Sequence, residues 1–296
     1  MRHRVHSRRS YMDTEIVRVA DLPTSFVDSV CDHICQYTVG MGEINRDSNG
    51  DHSQLIGTGT LVILNGLHCI LTADHVVSDT ALRNADQLEL LTSFSGKIQR
   101  YTLDRHCLAI HTIARGRDDS EGPDIGLIVL PQTHIAHLKS EKVFFNIDKR
   151  RKRFTDAFIG KEMGVWFTCG ILEETETDME PTAGFGAVKG YQVLCGRSGV
   201  SKEYTQSGFD YLEMTVDYET GGPDLPPSFG GCSGGGVWQV LLRKNGQGLI
   251  MAEEYLLSGV VFYQTGAENK RRILRCHARQ TIYMRVPEFM ERMRIS

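Results

Sequence analysis

The sequence lacks the features that mark several specialised classes of protein. No run of about 18 or more apolar residues occurs in the chain, so no membrane-spanning helix is expected. The first residues, MRHRVHSRRSYMDTEIV, are basic, but no apolar stretch follows them, and they do not resemble a secretory signal. We therefore expect a cytoplasmic protein that does not associate with membranes.

The chain also lacks a marked excess of charge of either sign. Its formal net charge is −4 over 296 residues, which gives no general attraction to nucleic acids. One basic run, DKRRKRF at 148–154, has no aromatic residues interleaved with its charges, as single-stranded nucleic-acid sites usually have. We expect no nucleic-acid partner, and we interpret 141–155 as an exposed basic linker.

The eight cysteines show no spacing typical of a metal site. Without an export signal they are expected to remain reduced thiols. Cys31, His33 and Cys35 lie close together, but no second pair at zinc-like spacing completes a set of four ligands. These residues are predicted to be small buried residues on a helix, and the sequence predicts neither a metal ion nor a cofactor.

The distribution of apolar residues predicts an all-β protein in two halves. Residues 1–45 form an N-terminal extension with one amphipathic helix that stops near Gly40. Short strand-like runs then recur in 46–140 and again in 156–296, and the dipeptide Asn65-Gly66 predicts a hairpin. We expect two six-stranded antiparallel β-barrels joined by the basic linker, followed by a short C-terminal helix.

Three short segments carry residues suited to nucleophilic catalysis. His75 follows a strand in LTADHVV, Asp124 precedes one in GPDIGLIVL, and Ser233 lies in the glycine-rich segment FGGCSGGGVW. A serine hydroxyl needs a base to take its proton, histidine titrates near neutral pH, and a carboxylate fixes the imidazole tautomer. Glycines allow backbone N–H groups to approach a developing oxyanion closely.

These segments resemble the chymotrypsin/trypsin-like serine peptidases, in particular the bacterial and HtrA-like members. The motifs TADH, DIGL and GCSGG occur in the family's order, and LSGVVFYQ and TIYMRVPEFMERM resemble its substrate-lining strand, last strand and C-terminal helix. The resemblance covers roughly residues 54–296. It implies that His75 is the general base, Asp124 its orienting partner and Ser233 the nucleophile that cleaves protein or peptide substrates.

The resemblance also assigns an oxyanion hole and a substrate-binding region. The backbone N–H groups of Gly231 and Ser233 would form the oxyanion hole. Phe262, Tyr263 and Gln264 would pair with an extended substrate.

The primary specificity pocket would be shaped by Pro227, Gln264 and Thr281. Because none of these three residues is charged, we expect cleavage after a neutral or apolar residue.

Two departures from the family pattern affect these expectations. Phe262 replaces a serine that helps to hold the aspartate in many members, so Asp124 must find another donor. Cys232 replaces the aspartate that precedes the catalytic serine, so IVRVA at 16–20 cannot act as an inserted N-terminus. We expect the loop 230–233 to be ordered by local contacts or by a partner, and the segment 10–45 is a candidate docking element for a regulatory protein.

Four alternatives remain open at this point. The motif GCSGG also fits the nucleophile elbow of α/β-hydrolases, with His277 as the late histidine. Cys232 could be the nucleophile, as in viral cysteine peptidases of the same fold. The chain could also be a serine esterase, or a catalytically silent binding module built on a peptidase fold.

Overall fold

The computed structural model describes residues 22–47, 50–78, 87–92, 99–118, 120–156, 160–179, 188–219 and 225–295. The segment IVRVA and the rest of the chain before residue 22 lie outside the described residues, so the docking element expected at 10–45 is described only in part. No helix in the described ranges combines the length and apolar character needed to cross a membrane.

The first sheet is built by the N-terminal half of the chain. Its main strands are antiparallel and follow the order β5-β4-β1-β2-β3-β7-β6, and the short strand β8 pairs in parallel with β2. The strands are β1 Thr38–Asp47, β2 Gly50–Leu64, β3 Leu67–Thr72, β4 Gln87–Leu91, β5 Arg100–Asp104, β6 Ala109–Arg115, β7 Asp124–Val129 and β8 Phe145–Asn146.

The second sheet is built by the C-terminal half and is antiparallel throughout. Its order is β10-β9-β13-β14-β15-β12-β11. The strands are β9 Val165–Met179, β10 Val188–Ser198, β11 Val200–Gln206, β12 Phe209–Asp217, β13 Gly236–Lys244, β14 Ile250–Gln264 and β15 Arg271–His277. Strand β13 directly follows the segment that contains Ser233, whereas a nucleophile elbow requires a helix at that point.

The all-β class is confirmed, but the sheets differ from two closed six-stranded barrels. Within the described residues, no ladder joins the first and last strands of either order. In each sheet these end strands are consecutive in the chain. A 3-10 turn, Arg105–Cys107, connects β5 to β6, and Gly199 alone lies between β10 and β11. Such short connections keep the two end strands of each sheet close together, although no ladder between them is found in the described residues.

The N-terminal extension is shorter than the sequence predicted. Helix α1 covers Thr24–Cys35 and buries Val30 and Ile34. Gly40 does not stop this helix, because it lies in β1, between β4 and β2 in the first sheet. The alternation of small and apolar residues in TVGMGEIN suits a strand, and partners on both sides stabilise it.

Four further helices complete the described structure: α2 Asp74–Ser78, α3 Gln132–Glu141, α4 Ile147–Asp156 and α5 Val286–Ile295. The basic run expected in a linker lies on α4. The strand expected in TIYMRV is a π-helix, Thr281–Arg285, that leads into α5. A strand there would need a neighbour in the sheet, and Arg271–His277 already occupies the place between β14 and β12.

The hairpin predicted at Asn65-Gly66 is confirmed. The two residues have φ angles of 49° and 75°, the positive values that a type I′ turn requires. The carboxylate of Asp148 on α4 accepts hydrogen bonds from both turn amides, at 2.7 and 2.9 Å.

One apolar core joins the two sheets. It contains Leu71 and Leu127 from the first sheet and Phe167 and Trp238 from the second, together with Ile34 from α1. All five side chains are fully buried. The two halves of the chain therefore pack as one body, with the candidate residues at their junction.

Candidate active site

Asp124 and His75 form a close pair at the edge of the first sheet. Strands β3 and β7 pair with Thr72 opposite Gly126, which places the start of α2 beside the start of β7. The Asp124 Oδ2 atom lies 2.5 Å from His75 Nδ1, and Asp124 Oδ1 accepts the His75 amide at 2.9 Å. The carboxylate can only accept, so it selects the tautomer with Nδ1 protonated and leaves Nε2 as the basic nitrogen.

Arg115 on β6 holds the helix that carries His75. Its guanidinium donates to the hydroxyl of Ser78 at the end of α2 and lies 3.6 Å from the buried carboxylate of Asp74 at the start. Gly126 allows the helix to approach closely, because a Cβ atom there would lie 2.8 Å from a methyl group of Val77. The helix that carries His75 is therefore held against β6 and β7.

His277 contacts Asp124, and the sequence analysis did not predict this contact. Its ring is fully buried, and Nε2 accepts the amide of Asp124 at 2.9 Å. Burial lowers the pKa of His277 to about 4, so the ring is neutral near pH 7. The ring packs 4.9 Å from that of Phe262, the residue that the motif resemblance aligned with a serine. The carboxylate of Asp124 takes its donor from the His75 backbone instead.

Thr58 on β2 attaches the loop that contains Ser233 (residues 230–235, the serine loop) to the first sheet. Its amide donates to the carbonyl of Ser233 at 2.8 Å, and its hydroxyl donates to the carbonyl of Gly231 at 2.7 Å. The same hydroxyl accepts the amide of Ile171 from β9 at 2.9 Å. The Thr58 carbonyl accepts the hydroxyl of Thr72 at 2.8 Å. Sequence analysis missed this residue, because the only signal in GTGTLVIL was strand periodicity.

Gly57, next to Thr58, lies where the two parts of the site converge. A Cβ atom at this position would be 2.8 Å from both methyl groups of Val76 and 3.1 Å from the carbonyl oxygen of Ser233. Val76 follows His75 on α2. The structure therefore brings the histidine helix and the serine backbone together at one point, with glycine as the residue that permits the contact.

The two backbone amides assigned to an oxyanion hole differ from those around them. In the part of the chain that the structure describes, the N–H groups of Gly231 and Ser233 donate no hydrogen bond within the protein. The amides of Cys232 and Gly234 both donate to backbone carbonyls, at 3.1 and 2.7 Å. The N–H groups of Gly231 and Ser233, on the same tight loop, are therefore available to donate to a ligand.

The conformation of this loop depends on its glycines. Gly231 and Gly234 have φ angles of 84° and 89°, a region that costs other residues backbone strain. A Cβ atom at Gly231 would also lie 2.8 Å from the carbonyl oxygen of Ile171. These local contacts fix the conformation of the loop, which agrees with the expectation that local contacts order residues 230–233; the segment 16–20 lies outside the described residues.

Cys232 is enclosed by this loop and is a poor candidate nucleophile. Its side chain is fully buried, and its thiol lies 3.4 Å from the carbonyl oxygen of Ile171. Burial raises the pKa of Cys232 to about 12, so the reactive thiolate is not formed near neutral pH. Ser233, in contrast, is partly exposed.

The residues expected to line the specificity pocket fall into two groups. Pro227 and Gln264 are brought together by Arg272, whose guanidinium donates to the Pro227 carbonyl at 2.9 Å and to Gln264 Oε1 at 2.7 Å. Thr281 is fully buried, and its amide and hydroxyl are both bonded to Asp210 at 2.6 Å. Thr281 therefore presents no surface to a substrate, and Arg272 is a neighbour of Pro227 and Gln264 that the sequence analysis missed.

The residues expected to bind an extended substrate lie at the end of β14. Tyr263 and Gln264 are half-buried and pair with Arg275 and Leu274 of β15. The Phe262 side chain is buried, so only its backbone is placed to meet a ligand. Within the described residues, β13 pairs with β14 only as far as Val260, which leaves one edge of this segment without a partner strand.

We expect Thr58→Val to destabilise the protein by roughly 2–4 kcal/mol, because it leaves the Ile171 amide and the Gly231 carbonyl buried without their partner. The control is Thr60→Val, which removes a single, longer bond of 3.3 Å to the Gly234 carbonyl. Urea unfolding of both variants measures the difference. Equal losses of stability would contradict the role given to Thr58.

We expect His277 to make the stability depend on pH between about 6.5 and 4. The folded ring has a pKa of about 4 against an ordinary value of 6.5, so only the unfolded chain binds a proton in this window. Stability should then fall with falling pH, by about 2 kcal/mol between pH 7 and pH 5. His277→Gln retains an acceptor for the Asp124 amide but cannot titrate. Urea unfolding at both pH values should show a smaller loss for this variant, and an equal loss would refute the assignment.

Comparison with known proteins adds no family assignment. No protein-family model matches the chain, and no match is found among curated proteins. The chain is similar to a solved structure from work on aromatic interactions that drive the coupled folding and binding of the intrinsically disordered Sesbania mosaic virus VPg protein. The similarity covers 83% of this chain and 88% of that chain, at 14% identity and a TM-score of 0.39. A TM-score this low supports no conclusion about fold or function.

Proposed function

We propose that the chain is a serine endopeptidase in which Ser233 attacks the peptide bond, His75 is the general base and Asp124 orients it. The observation that carries this proposal is the 2.5 Å contact between His75 and Asp124 beside a serine loop with two available amides. The Ser233 carbonyl and Val76 of α2 both lie close to Gly57, which supports a proposal in which the Ser233 hydroxyl and His75 act together.

The proposed reaction follows from these positions. The Ser233 hydroxyl adds to the carbonyl carbon as His75 Nε2 accepts its proton, and Asp124 stabilises the imidazolium that forms. The amides of Gly231 and Ser233 stabilise the negative charge on the former carbonyl oxygen. The imidazolium then returns the proton to the leaving amine. Water next adds to the acyl carbon as His75 Nε2 accepts its proton, the bond to the Ser233 oxygen breaks, and the imidazolium returns the proton to that oxygen.

A peptide is the substrate class that suits the neighbouring strand. Val261 of β14 is bonded through its carbonyl to Gly234 and through its N–H to Gly235. Beyond it, Tyr263 and Gln264 pair with β15 on one side, and within the described residues no strand pairs with their other edge. An extended peptide can add there through main-chain hydrogen bonds. A small ester would make no use of this edge.

The two-barrel architecture is part of the same proposal. The end strands of each sheet are consecutive and joined by short connections, which favours a curled sheet. Two curled sheets with a histidine–aspartate pair on one and a serine loop between them would suit the trypsin-like arrangement that the sequence motifs resemble.

Arg272 and Gln264 are proposed to set the preference for the residue before the cleaved bond. Gln264 Oε1 accepts the Phe229 amide at 2.8 Å, so its side chain bridges β14 and the loop that precedes Ser233. The guanidinium of Arg272 is bonded to the same oxygen. A positively charged substrate side chain would be repelled here, whereas a neutral or apolar one would not.

Replacing either Ser233 or His75 with alanine should lower kcat/KM for a peptide substrate by at least about a thousandfold, because activation of the nucleophile is lost. Ser140→Ala is the control, since Ser140 is an exposed serine on α3. A fluorophosphonate probe should label the wild type and the control but not Ser233→Ala. Circular dichroism should show that all variants retain the fold.

The same experiment separates the alternatives. Retention of labelling and turnover in Ser233→Ala, with loss in Cys232→Ala, would assign the cysteine as nucleophile. Turnover of esters without any cleavage of a peptide library would indicate an esterase. A wild type that neither reacts with the probe nor cleaves any substrate would indicate a binding module.

Peptides with Lys or Arg before the cleaved bond should be cleaved at least about tenfold less efficiently than peptides with a neutral residue there, because the guanidinium of Arg272 repels them. A peptide library with one varied position measures this preference. Arg272→Gln should reduce the discrimination. Efficient cleavage after Lys or Arg by the wild type would contradict the proposed pocket.

A further inference from the structure

Four cysteines lie near one another where helix α1 packs on strands β9 and β10. Cys31 and Cys35 are one helical turn apart and so lie on the same face of α1. Cys169 on β9 and Cys195 on β10 are directly opposite each other in the strand register. The Cys31 thiol lies 3.1 Å from the Cys195 carbonyl oxygen, which places the helix against these two strands.

The distances between the sulfur atoms suit a shared metal ion. The Sγ atoms of Cys35, Cys169 and Cys195 all lie within 4.8 Å of one another, and those of Cys35 and Cys169 are 3.8 Å apart. Cys31 Sγ is outside this set of three atoms and would have to turn away from the Cys195 carbonyl oxygen to become a fourth ligand. Four thiolates bound tetrahedrally at about 2.3 Å from zinc have sulfur atoms about 3.8 Å apart. A disulfide would need about 2.05 Å.

The surroundings of the group suit bound thiolates. The hydroxyl of Thr38 donates to Cys169 Sγ at 3.2 Å, as outer hydrogen bonds do for metal ligands. The ammonium of Lys142, a residue only 6% exposed, donates to the Cys35 carbonyl at 2.9 Å. Its charge offsets part of the negative charge that four thiolates around a divalent ion would leave.

We propose that Cys31, Cys35, Cys169 and Cys195 bind one zinc ion that fixes α1 to the second sheet. A set of four thiolates selects thiophilic ions, and zinc in such closed sites is structural. Binding releases the thiol protons to solvent and involves no redox change. Within the described residues, Cys35, Cys169 and Cys195 are the one group of histidine, cysteine and acidic side chains whose ligand atoms all lie so close together, and Cys31 is the neighbouring thiol proposed to complete the set of four.

Sequence spacing could not reveal this site. The two cysteines of the helix have the separation of one turn, but the other two come from separate strands far along the chain. His33, which lies between the helical cysteines, is not part of the group. It is 3.3 Å from the Tyr37 hydroxyl, and its ring packs against Tyr255.

The test is the metal content of the full chain, expressed in zinc-supplemented medium and purified under reducing conditions without chelators. Elemental analysis should find roughly one zinc per chain. Cys35→Ser and Cys169→Ser should each lose most of this zinc. Cys107→Ser, at an exposed cysteine, and Cys276→Ser, at a buried cysteine outside the group, should retain it.

A second measurement needs only the wild type, in case the variants do not fold. Titration with a mercurial reagent should release the zinc to a coloured indicator, and cobalt exchanged into the site should give the absorption spectrum of tetrahedral thiolate coordination. Bound iron, a disulfide within the group, or four free thiols with no cobalt spectrum would each overturn the proposal. These readouts do not depend on peptidase activity.

Discussion

The hydroxyl of Thr58 is the contact on which the candidate site depends. It donates to Gly231 and accepts from Ile171, so one side chain of the first sheet satisfies two backbone groups of the second half of the chain. A buried backbone group without a partner costs about as much as a typical destabilising mutation. Valine would fit the space but could supply neither bond. The Ser233 loop is therefore attached to the same strand that packs beside the His75 helix.

Close backbone approach is the second constraint on this region. Gly57 and Gly126 allow α2 to contact both β2 and β7, and Gly234 lies so close to the Thr58 carbonyl oxygen that a Cβ atom would be only 1.9 Å away. These contacts are rigid because they involve backbone and β-branched side chains, which have few alternative rotamers. The geometry of the histidine helix and of the serine loop thus follows from packing between strands, and the side chains of His75 and Ser233 contribute little to it.

The sequence predicted those parts of the structure that depend on local pattern. The Asn65-Gly66 hairpin, most strands and the adjacency of His75 and Asp124 follow from turn chemistry, alternation and motif order. Residues whose role depends on distant strand pairing could not be predicted. Arg272 reaches Gln264 only because β14 and β15 pair, and TIYMRV has strand-like composition but adopts a π-helix because β15 already occupies the place beside β14. The two open sheets could not be predicted for the same reason, since closure of a sheet depends on pairing between its end strands, which composition does not encode.

Strand β9 connects the candidate active site to the cysteine group. Successive residues of this strand contact the cysteine group and the serine loop. The thiol of Cys169 belongs to the cysteine group. The carbonyl oxygen of Cys169 lies so close to Gly235 that a Cβ atom there would be 2.3 Å away. Gly170 packs against Cys232, and Ile171 bonds to Thr58 through its amide. A tetrahedral ion fixes the direction of each ligand bond, so it would restrict Cys169 and with it the strand on which the serine loop rests. The loop would then lie between two supports of different chemistry, a hydroxyl on the first sheet and a thiolate-bound strand on the second. Backbone amides can stabilise an oxyanion only if they are held in place before the charge develops, and the proposed zinc ion together with Thr58 would supply that restraint without an ion pair at Cys232.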